Sequence, residues 1–503
     1  MDKKKGILNI GVAIGFNIIL TITSIIIKRF LIQTCGNEVN GLNSLYLSII
    51  GFLSVAELGV GAAITFCLYR PIVDGDHKKI CALYHLFNKI YITVGCVILV
   101  IGLALTPFLS FFAKDYRHLN VNMYSTFILM LVSVVITYIY GAKTALINAY
   151  KNNYITTAIS SCGGLVQHVS QILILFFTGS FELYLACRIL SAVLQGVATN
   201  YIVRKKYASS IAKKEKIDAS TRVELVKSIK AMFMHKIGAL FVNTLDSVII
   251  SAFVGVISLG FYSNYIMIMT LLTNIIALVF TSITSVLGHL YVKADKDITR
   301  RYCEFFHLLN FVIATVFYLG YYAIIDDLIS LLFSADLVVE KSISFVIALN
   351  GFIQFMRKSV LTFRDATGTF YNDRWKPLFE GILNLILSIC LVHWIGVQGV
   401  IIATIITNLC VCHVVEPYIL YKNAFSLSPV GYYKKNYGMI VLFGISLKFL
   451  DLCMRTVDGY WKSLFINGFL SVGISILTCI VILSLYWKNF YNLLKQVWKI
   501  KKI

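Results

Sequence analysis

The stretch GILNIGVAIGFNIILTITSIIIKRFLI, residues 6–32, decides the class of fold. It is predominantly apolar until two adjacent cations, Lys28 and Arg29, near its end. A helix rises 1.5 Å per residue, so these cations lie about 32 Å from Gly6, which matches the thickness of a bilayer's hydrocarbon. The stretch therefore predicts a membrane-spanning helix with two positive charges at its far edge.

Apolar runs of this kind recur along the whole chain of 503 residues, 58% of which are hydrophobic. A water-soluble chain of this length would form two or three domains with alternating polar faces. We therefore predict an all-α polytopic membrane protein. We expect the first run to be retained, because it is too long for the apolar core of a signal peptide and no small-residue cleavage site follows it before Gly41. The net charge of +21 then indicates contact with anionic membrane lipid rather than nucleic acid.

The apolar runs predict about fourteen transmembrane helices joined by short loops. We expect the spans at residues 6–32, 41–69, 88–113, 123–149, 154–177, 180–203, 235–256, 260–291, 303–324, 342–363, 377–395, 397–421, 436–452 and 462–487. Of the 45 Lys and Arg residues, 31 lie in the two termini and the loops on their side, five lie in the opposite loops, and nine lie within spans. The positive-inside rule then predicts that both termini are cytoplasmic.

The basic segment 204–234 divides the spans into two sets. We predict an N-terminal lobe at 1–203 with six spans, a basic cytoplasmic linker at 204–234 and a C-terminal lobe at 235–421 with six more. Residues 422–503 would add two spans and a basic tail. Two hexapeptides support a repeat, since GLNSLY at 41–46 opens the second span and GFYSNY at 260–265 opens the eighth. Chance similarity of the two hexapeptides remains the alternative.

Polar residues recur at helical spacing within several spans. The stripes are Ser160, Gly164, Gln167 and Gln171; Thr270, Asn274, Thr281, Ser285 and His289; Asn350, Gln354, Arg357 and Arg364; and Glu380, Asn384 and Ser388. Such stripes serve either hydrogen bonding between packed helices or the lining of a hydrophilic cavity. The charged residues favour a cavity between the two lobes, and we assign Asn274 and Gln354 to its wall as candidate substrate-binding residues.

Nine cations lie within the predicted spans, namely Lys28, Arg29, Lys89, Lys143, Arg188, Lys236, Arg357, Lys358 and Lys448. Those near span ends are expected to extend toward the headgroups. We predict that Arg29, Arg357 and Arg364 face an anionic cargo, because the planar fork of Arg matches phosphate oxygens. Asp246 lies mid-span and must be neutral or paired, so it is a candidate site residue, and both a structural ion pair and a proton site remain open.

Three stretches carry a family resemblance. KRFLIQTCGNEVNGLNSLYLSIIGFLSVAELGVGAAITFCLYRPIVDGD, at 28–76, resembles the opening of bacterial polysaccharide exporters of the Wzx type, which are flippases of O-antigen and capsule repeat units. LDSVIISAFVGVISLGFYSNY, at 245–265, is similar to their seventh and eighth helices. RDATGTFYNDRWKPLFEGILNLILSICLVHWIGVQGVIIATIITN, at 364–408, is similar to the region of their eleventh helix.

The resemblance implies a fold of two six-helix lobes around a central cavity, with two further C-terminal helices, as in the superfamily that includes the MATE multidrug exporters. It implies transport of undecaprenyl-diphosphate-linked oligosaccharides from the inner to the outer leaflet of the bacterial cytoplasmic membrane. The expected substrate is then a lipid-linked oligosaccharide, and the expected surroundings are anionic membrane lipid. A polysaccharide polymerase and a chain-length regulator are candidate partners. The matching stretches include Arg29, Asp246, Arg357 and Arg364, so the resemblance extends cavity roles to them.

Two other functions are alternatives to a flippase. A multidrug antiporter of the same fold would need acidic residues in its N-terminal lobe, where Glu57 is the one clear intramembrane acid. A membrane-embedded polymerase or glycosyltransferase would need a sizeable loop domain, and the predicted loops are short. We therefore expect a transporter rather than an enzyme. The twelve scattered cysteines form no CxxC pair and no Walker motif is present, so we predict no metal, cofactor or ATP site.

Overall fold

The computed structural model describes residues 3–54, 60–116, 119–212, 244–293, 296–369, 375–455 and 458–500. Within these ranges the chain forms helices and no strand. The α-helices of eight or more residues are α1 (Lys3–Cys35), α2 (Asn37–Leu53), α3 (Val60–Asp74), α4 (His77–Leu105), α5 (Met123–Ala149), α6 (Asn153–Thr178), α7 (Phe181–Lys206), α8 (Val256–Lys293), α9 (Lys296–Leu332), α10 (Lys341–Met356), α11 (Lys358–Thr367), α12 (Lys376–Thr407), α13 (His413–Leu420), α14 (Val430–Cys453) and α15 (Tyr460–Ile500).

Ten helical segments in the described ranges are long and apolar enough to cross a membrane. They are Gly15–Cys35, His77–Phe112, Met123–Ala149, Asn153–Thr178, Phe181–Lys206, Val256–Asn274, Lys296–Leu332, Lys376–Phe425, Val430–Cys453 and Tyr460–Tyr486. The chain is therefore an all-α multi-pass membrane protein, and this prediction is confirmed.

The difference between ten segments and fourteen predicted spans has local causes. The predicted spans 41–69 and 235–256 both run into residues outside the described ranges. The predicted span 342–363 is interrupted at Arg357, where α10 ends and α11 begins. The predicted spans 377–395 and 397–421 form one segment with a sharp bend between them. The count of fourteen is accordingly approximate.

The helices form two compact units, Met1–Gly260 and Phe261–Ile503. In the first unit, α5 packs against α4 and α7, and α6 packs against α1 and α7. In the second unit, α9 is the central helix and packs against α10, α14 and α15. The predicted linker 204–234 lies mostly outside the described residues, so the lobe boundaries at 203 and 235 remain a prediction.

Two glycines allow a close helix crossing in the first unit. A Cβ atom added to Gly41 of α2 would overlap the carbonyl oxygen of Val256, and one added to Gly260 would overlap that of Asn37. The Asn37 side chain donates to the Ile257 carbonyl at 3.4 Å across the same crossing. Small residues are what such close approach requires. The two hexapeptides of the predicted repeat therefore begin at glycines that meet each other.

A polar cluster fixes the two C-terminal helices in the second unit. Tyr322 of α9 donates a hydrogen bond to Asp451 of α14, and Lys448 of α14 forms an ion pair with the same carboxylate at 2.7 Å. The Lys341 ammonium lies 4.6 Å from the centre of the Tyr322 ring. These contacts join α14 to the central helix, so the helices that follow residue 422 are integral to the unit.

Candidate functional site

The candidate site is built on an antiparallel helical hairpin at Lys376–Phe425 in the second unit. Within α12 two residues are not helical, Ile395 (φ −131°, ψ 20°) and Gly396 (φ 57°, ψ −134°). Glycine adopts a positive φ without strain, so the chain turns here. The Asn384 amide, before the turn, donates to Thr404 Oγ1, after it, at 2.9 Å. The two limbs therefore lie side by side with polar side chains between them.

Two cations and two carboxylates meet at the open end of this hairpin. Lys376 Nζ lies 2.7 Å from Glu380 Oε2 and 2.6 Å from Glu416 Oε1. Arg357 donates through Nε and Nη2 to the two carboxylate oxygens of Glu416, at 3.1 and 2.6 Å. Its Nη1 contacts Asn408 Oδ1 at 2.6 Å and Glu380 Oε1 at 3.4 Å. We call these five residues the seam network.

The seam network is buried and its formal charges cancel. The side chain of Glu416 is 1% exposed, those of Glu380 and Lys376 are 5% exposed, and that of Arg357 is 14% exposed. Removing charges from water is costly, and removing one partner of a buried pair typically destabilises a protein by about 3–5 kcal/mol because the remaining charge is uncompensated. The network therefore holds the two limbs in one register and holds the Arg357 guanidinium in one place.

A helix break positions Arg357. α10 ends at Met356 and α11 begins at Lys358, so Arg357 stands between the two helices. A helix end leaves backbone carbonyls without intrahelical partners. The buried Asn310 amide of α9 donates to two of these carbonyls, those of Phe355 and Met356, at 3.0 and 3.2 Å. The break is thus stabilised from a neighbouring helix.

A buried histidine extends the polar contacts next to the seam network. His413 directly follows a π-helical turn, Asn408–Cys412, in the second limb. Its Nε2 lies 3.0 Å from the Ile353 carbonyl, and its Nδ1 lies 2.9 Å from the Asn436 amide nitrogen. A carbonyl can only accept and an amide NH2 can only donate, so in this arrangement His413 is neutral with its proton on Nε2. It adds no charge to the balanced network.

Three of the predicted site residues lie in the second unit besides Arg357. Gln354 donates to Asn350 at 3.3 Å, so two members of one predicted stripe are in contact. Arg364 pairs with the adjacent Asp365 at 3.1 Å and does not belong to the seam network. Asn274 is exposed. Arg357 has helical dihedral angles (φ −68°, ψ −23°) and its carbonyl accepts from the Leu361 amide at 3.0 Å, so it continues directly into α11, which carries Arg364. The common role expected for the two arginines stays a prediction.

The remaining two predicted residues lie in the first unit. Asp246 is buried, with 8% of its surface exposed. Arg29 is exposed on the same face of α1 as Ile22 and Ile26, whereas Lys28 is half-buried. The adjacent cations of the first span thus point in different directions. Glu57 and Lys236 lie outside the described residues.

Two of the five residues of the seam network, Arg357 and Glu380, are identified from the sequence, and the other three are missed. Lys376 was counted as a loop cation and Glu416 was not singled out. A signal was present, because Lys376, Glu380, Asn384 and Ser388 recur every four residues on one limb. The second limb repeats this spacing at Thr404, Asn408, Cys412 and Glu416. Two polar stripes of the same period, on either side of a glycine, indicate an antiparallel polar seam.

Solved structures that are similar in fold include two MATE transporters and a lipid II flippase. An inward-facing multidrug resistance MATE family transporter of the MOP superfamily is 12% identical, with 86% of this chain and 98% of that one covered and a TM-score of 0.63. The MATE multidrug transporter DinF-BH in complex with R6G is 14% identical, with 85% and 97% covered and a TM-score of 0.57. The lipid II flippase MurJ in an inward closed conformation is 14% identical, with 94% and 100% covered and a TM-score of 0.54.

At these identities the likeness concerns the fold alone. No curated protein sequence was found to match the chain. The family described as polysaccharide biosynthesis protein matches residues 3–285, which is more than half of the 503 residues. This match confirms the family resemblance and includes the first two quoted stretches, 28–76 and 245–265. The chain therefore belongs to the polysaccharide biosynthesis protein family, as a multi-pass membrane protein with the fold of the MOP transporters.

Proposed function

We propose that the protein is a flippase that moves undecaprenyl-diphosphate-linked oligosaccharide repeat units from the inner to the outer leaflet, for capsule or another surface polysaccharide. The observation that carries the proposal is the polysaccharide biosynthesis family match over residues 3–285. The fold supports it, because a lipid II flippase and multidrug transporters share it. In this reading no bond is made or broken, and the protein acts on the position of its substrate.

The physical task is to carry sugars through hydrocarbon. Each sugar hydroxyl would lose hydrogen bonds to water in the bilayer interior, at a cost of several kcal/mol where nothing replaces them. A polar cavity replaces those bonds, while the polyprenyl tail stays in lipid. We propose that the polar stripes of the predicted spans line such a cavity and that the protein exposes it to one side of the membrane at a time.

The six predicted site residues differ in how far their side chains are already engaged by other groups of the protein. Arg29, Asp246, Asn274, Gln354, Arg357 and Arg364 are proposed to face the substrate. The fork of Arg357 is already engaged by Glu416, so a diphosphate would reach it only by displacing a carboxylate. Arg364 lies outside the seam network and pairs with the adjacent Asp365, whose side chain is half exposed at 52%. Because that carboxylate is closer to solvent than Glu416, which is 1% exposed, we propose that an anionic headgroup displaces it more readily.

The setting follows from the charge distribution. We propose the bacterial cytoplasmic membrane, with both termini on the cytoplasmic side next to anionic lipid. A polysaccharide polymerase and a chain-length regulator are proposed as partners, because a repeat unit delivered to the outer leaflet must then be polymerised.

Deletion and complementation test the proposal. A strain lacking the gene is expected to lose its surface polysaccharide and to accumulate the lipid-linked repeat unit, and the wild-type gene restores export. Arg29→Glu and Arg364→Glu lie outside the seam network, so they are expected to reduce export at unchanged membrane abundance. Normal polysaccharide without accumulation in the deletion strain would contradict the flippase. A change confined to drug sensitivity would favour the multidrug alternative.

A further inference from the structure

The intramembrane cations of the two units differ in their ion-pair partners. In the second unit Arg357 and Lys376 are compensated by two carboxylates, and Lys448 is compensated by Asp451. In the first unit, Arg188 of α7 is half-buried, and among the described residues it has neither an ion pair nor a hydrogen bond. Charged side chains within spans normally pair or face a water-filled cavity. The surroundings of Arg188 distinguish these cases.

Arg188 does not face lipid. The large apolar residues of α7 that are exposed are Leu183, Leu190, Val193, Leu194, Val197 and Tyr201. At about 100° per residue they lie roughly 140–240° around the helix from Arg188, which therefore points to the opposite side. The residues within about 60° of it on that side include Tyr184, Ser191, Gln195 and Thr199, which are polar at their tips, and the apolar Phe181, Leu185 and Ala192. All of these except Gln195 are buried.

The helix next to this face is α6. Gln171 of α6 donates to the Tyr184 carbonyl at 3.1 Å, four residues before Arg188. Ser191 donates to the Gly163 carbonyl of α6 at 2.7 Å, three residues after it. Arg188 thus lies between two polar contacts that hold the helices together. The face that it shares with them is directed into the helix bundle.

The titratable side chain on the facing part of α6 cannot neutralise Arg188. It is His168, which lies between Gly163 and Gln171, the two residues whose contacts flank Arg188. It is held from α1 by Thr23, whose Oγ1 lies 2.6 Å from its Nδ1. A histidine is either neutral or positive. Glu182, the acid nearest in sequence, accepts from Ser180 at 3.1 Å near the start of α7. The group around Arg188 therefore carries net positive charge.

A second cation lies at a similar depth. Cys35 Sγ at the end of α1 donates to the carbonyl of Gly179, which joins α6 to α7, at 3.4 Å, so these three helix ends lie together. Lys28 lies about 11 Å along α1 from that end, and Arg188 lies about 11 Å along α7 from it. His168 lies about 15 Å along α6 from the same end. The three nitrogen-bearing side chains thus start from positions about 11–15 Å from the same end of these helices.

We propose that α1, α6 and α7 hold an anion-binding site centred on Arg188, and that its ligand is a phosphoryl group. The guanidinium supplies a planar fork of donors that matches two oxygens of one phosphate, and no carboxylate competes for it among the described residues. Gln167, half-buried on α6, is a further donor on the same helix as His168. The identity of the ligand as the diphosphate of a lipid-linked oligosaccharide rests on the proposed function, whereas the site itself rests on this geometry.

The site also assigns different roles to the arginines. Arg357 already has the partners that its charge requires, so its fork is structural at rest. Arg188 has none in the described residues, so a bound phosphate would compensate its charge. Phosphate binding is therefore expected to stabilise the first unit against unfolding, because it would compensate the charge of Arg188.

Binding to the purified full-length protein tests the site. The protein is placed in nanodiscs of neutral phosphatidylcholine, and two probes are compared, undecaprenyl diphosphate in the disc and inorganic pyrophosphate in solution. Arg188→Ala is expected to weaken binding about 10- to 100-fold, which is the loss of one or two charge-assisted hydrogen bonds. Arg188→Lys keeps the charge without the planar fork, so its binding affinity for the probes is expected to fall several-fold. This second variant keeps the test valid if Arg188→Ala does not fold.

Lys143→Ala is the matched control. Lys143 is also a half-buried cation of the first unit, but it lies near Arg204, about 24 Å along α7 from Arg188. It is expected to bind both probes as the wild type does. A loss for undecaprenyl diphosphate alone assigns the site to a lipid headgroup, and a loss for both probes shows that the phosphoryl group suffices. If Arg188→Ala and Arg188→Lys bind both probes as tightly as Lys143→Ala, the site does not exist.

The outcome is separable from that of the proposed function. Binding lost in Arg188→Ala, in a protein whose deletion leaves polysaccharide export unchanged, would support the anion site and contradict the flippase. Export that depends on the protein, with phosphate binding unaffected by Arg188→Ala, would support the flippase and overturn the site.

Discussion

Glu416 is the residue on which the seam network depends most, because both of its cations contact it. Its two oxygens accept from Arg357 and Lys376, and its side chain is almost completely buried. Glu380 compensates mainly one of the two cations, since it lies 2.7 Å from Lys376 but 3.4 Å from Arg357. Loss of the Glu416 charge would leave two cations against one carboxylate in a dry environment.

Glu416→Gln is therefore expected to lower the free energy of unfolding by about 3–5 kcal/mol. Thermal unfolding of the detergent-purified protein measures this. Glu304→Gln is a matched control, since Glu304 also contacts two cations, Arg300 at 2.5 Å and Lys435 at 3.0 Å, but is 22% exposed. Pairs that reach solvent contribute less, so the control is expected to lose about 1 kcal/mol or less. Equal falls in the free energy of unfolding for the two variants would show that burial does not determine how much Glu416 stabilises the protein.

At the scale of elements, the sequence predicts where helices lie better than which of them are in contact. The break in α12 falls at Gly396, between the predicted spans 377–395 and 397–421, because a glycine within an apolar run is a turn signal. The pairing of Arg357 with Glu416 was not predictable in this way, since 59 residues separate them and hydropathy reports the membrane rather than the neighbour. The break at Arg357 was also missed, because its support comes from Asn310 of another helix.

The crossing of α2 and the start of α8 gives a prediction at this scale. A Cβ atom in Gly41→Ala would overlap the backbone of Val256, so the helices must separate, at a cost of about 1–3 kcal/mol. Gly444→Ala, in α14, is the control, because no atom lies within 4 Å of its added Cβ. Alanine is the better helix former, so this control is expected to be neutral or more stable by up to about 1 kcal/mol. Melting temperatures of the two purified variants provide the comparison, and no drop for Gly41→Ala would contradict a tight crossing.

At the scale of the whole molecule, the class of fold was readable from residues 6–32 because the bilayer imposes helix length on the sequence. The candidate site was readable only in part. Gln354 and Arg357 were identified from helical spacing, but their exact partners depend on tertiary packing. Arg188 was counted among the intramembrane cations, and only the structure shows that it faces inward without a carboxylate in the described residues.

The orientation in the membrane is a prediction of the same scale. In a background without the native cysteines, Lys462→Cys is expected to react with an impermeant thiol reagent in intact cells, because it lies in a predicted external loop and is exposed. Lys151→Cys is equally exposed in a predicted cytoplasmic loop and is expected to react only after permeabilisation. Reaction of Lys151→Cys in intact cells would reverse the orientation that the 31-to-5 distribution of cations indicates.

The order of synthesis gives the seam network a further consequence. Arg357 leaves the ribosome 59 residues before Glu416, its bidentate partner. At about 5–20 residues per second this is a delay of roughly 3–12 seconds. During that interval Arg357 has no completed partner set, and the membrane disfavours an uncompensated cation. The segment that carries it is therefore expected to remain near the aqueous entrance of the translocon until the hairpin emerges, so that insertion of α10 is completed after α12 and α13 have been made.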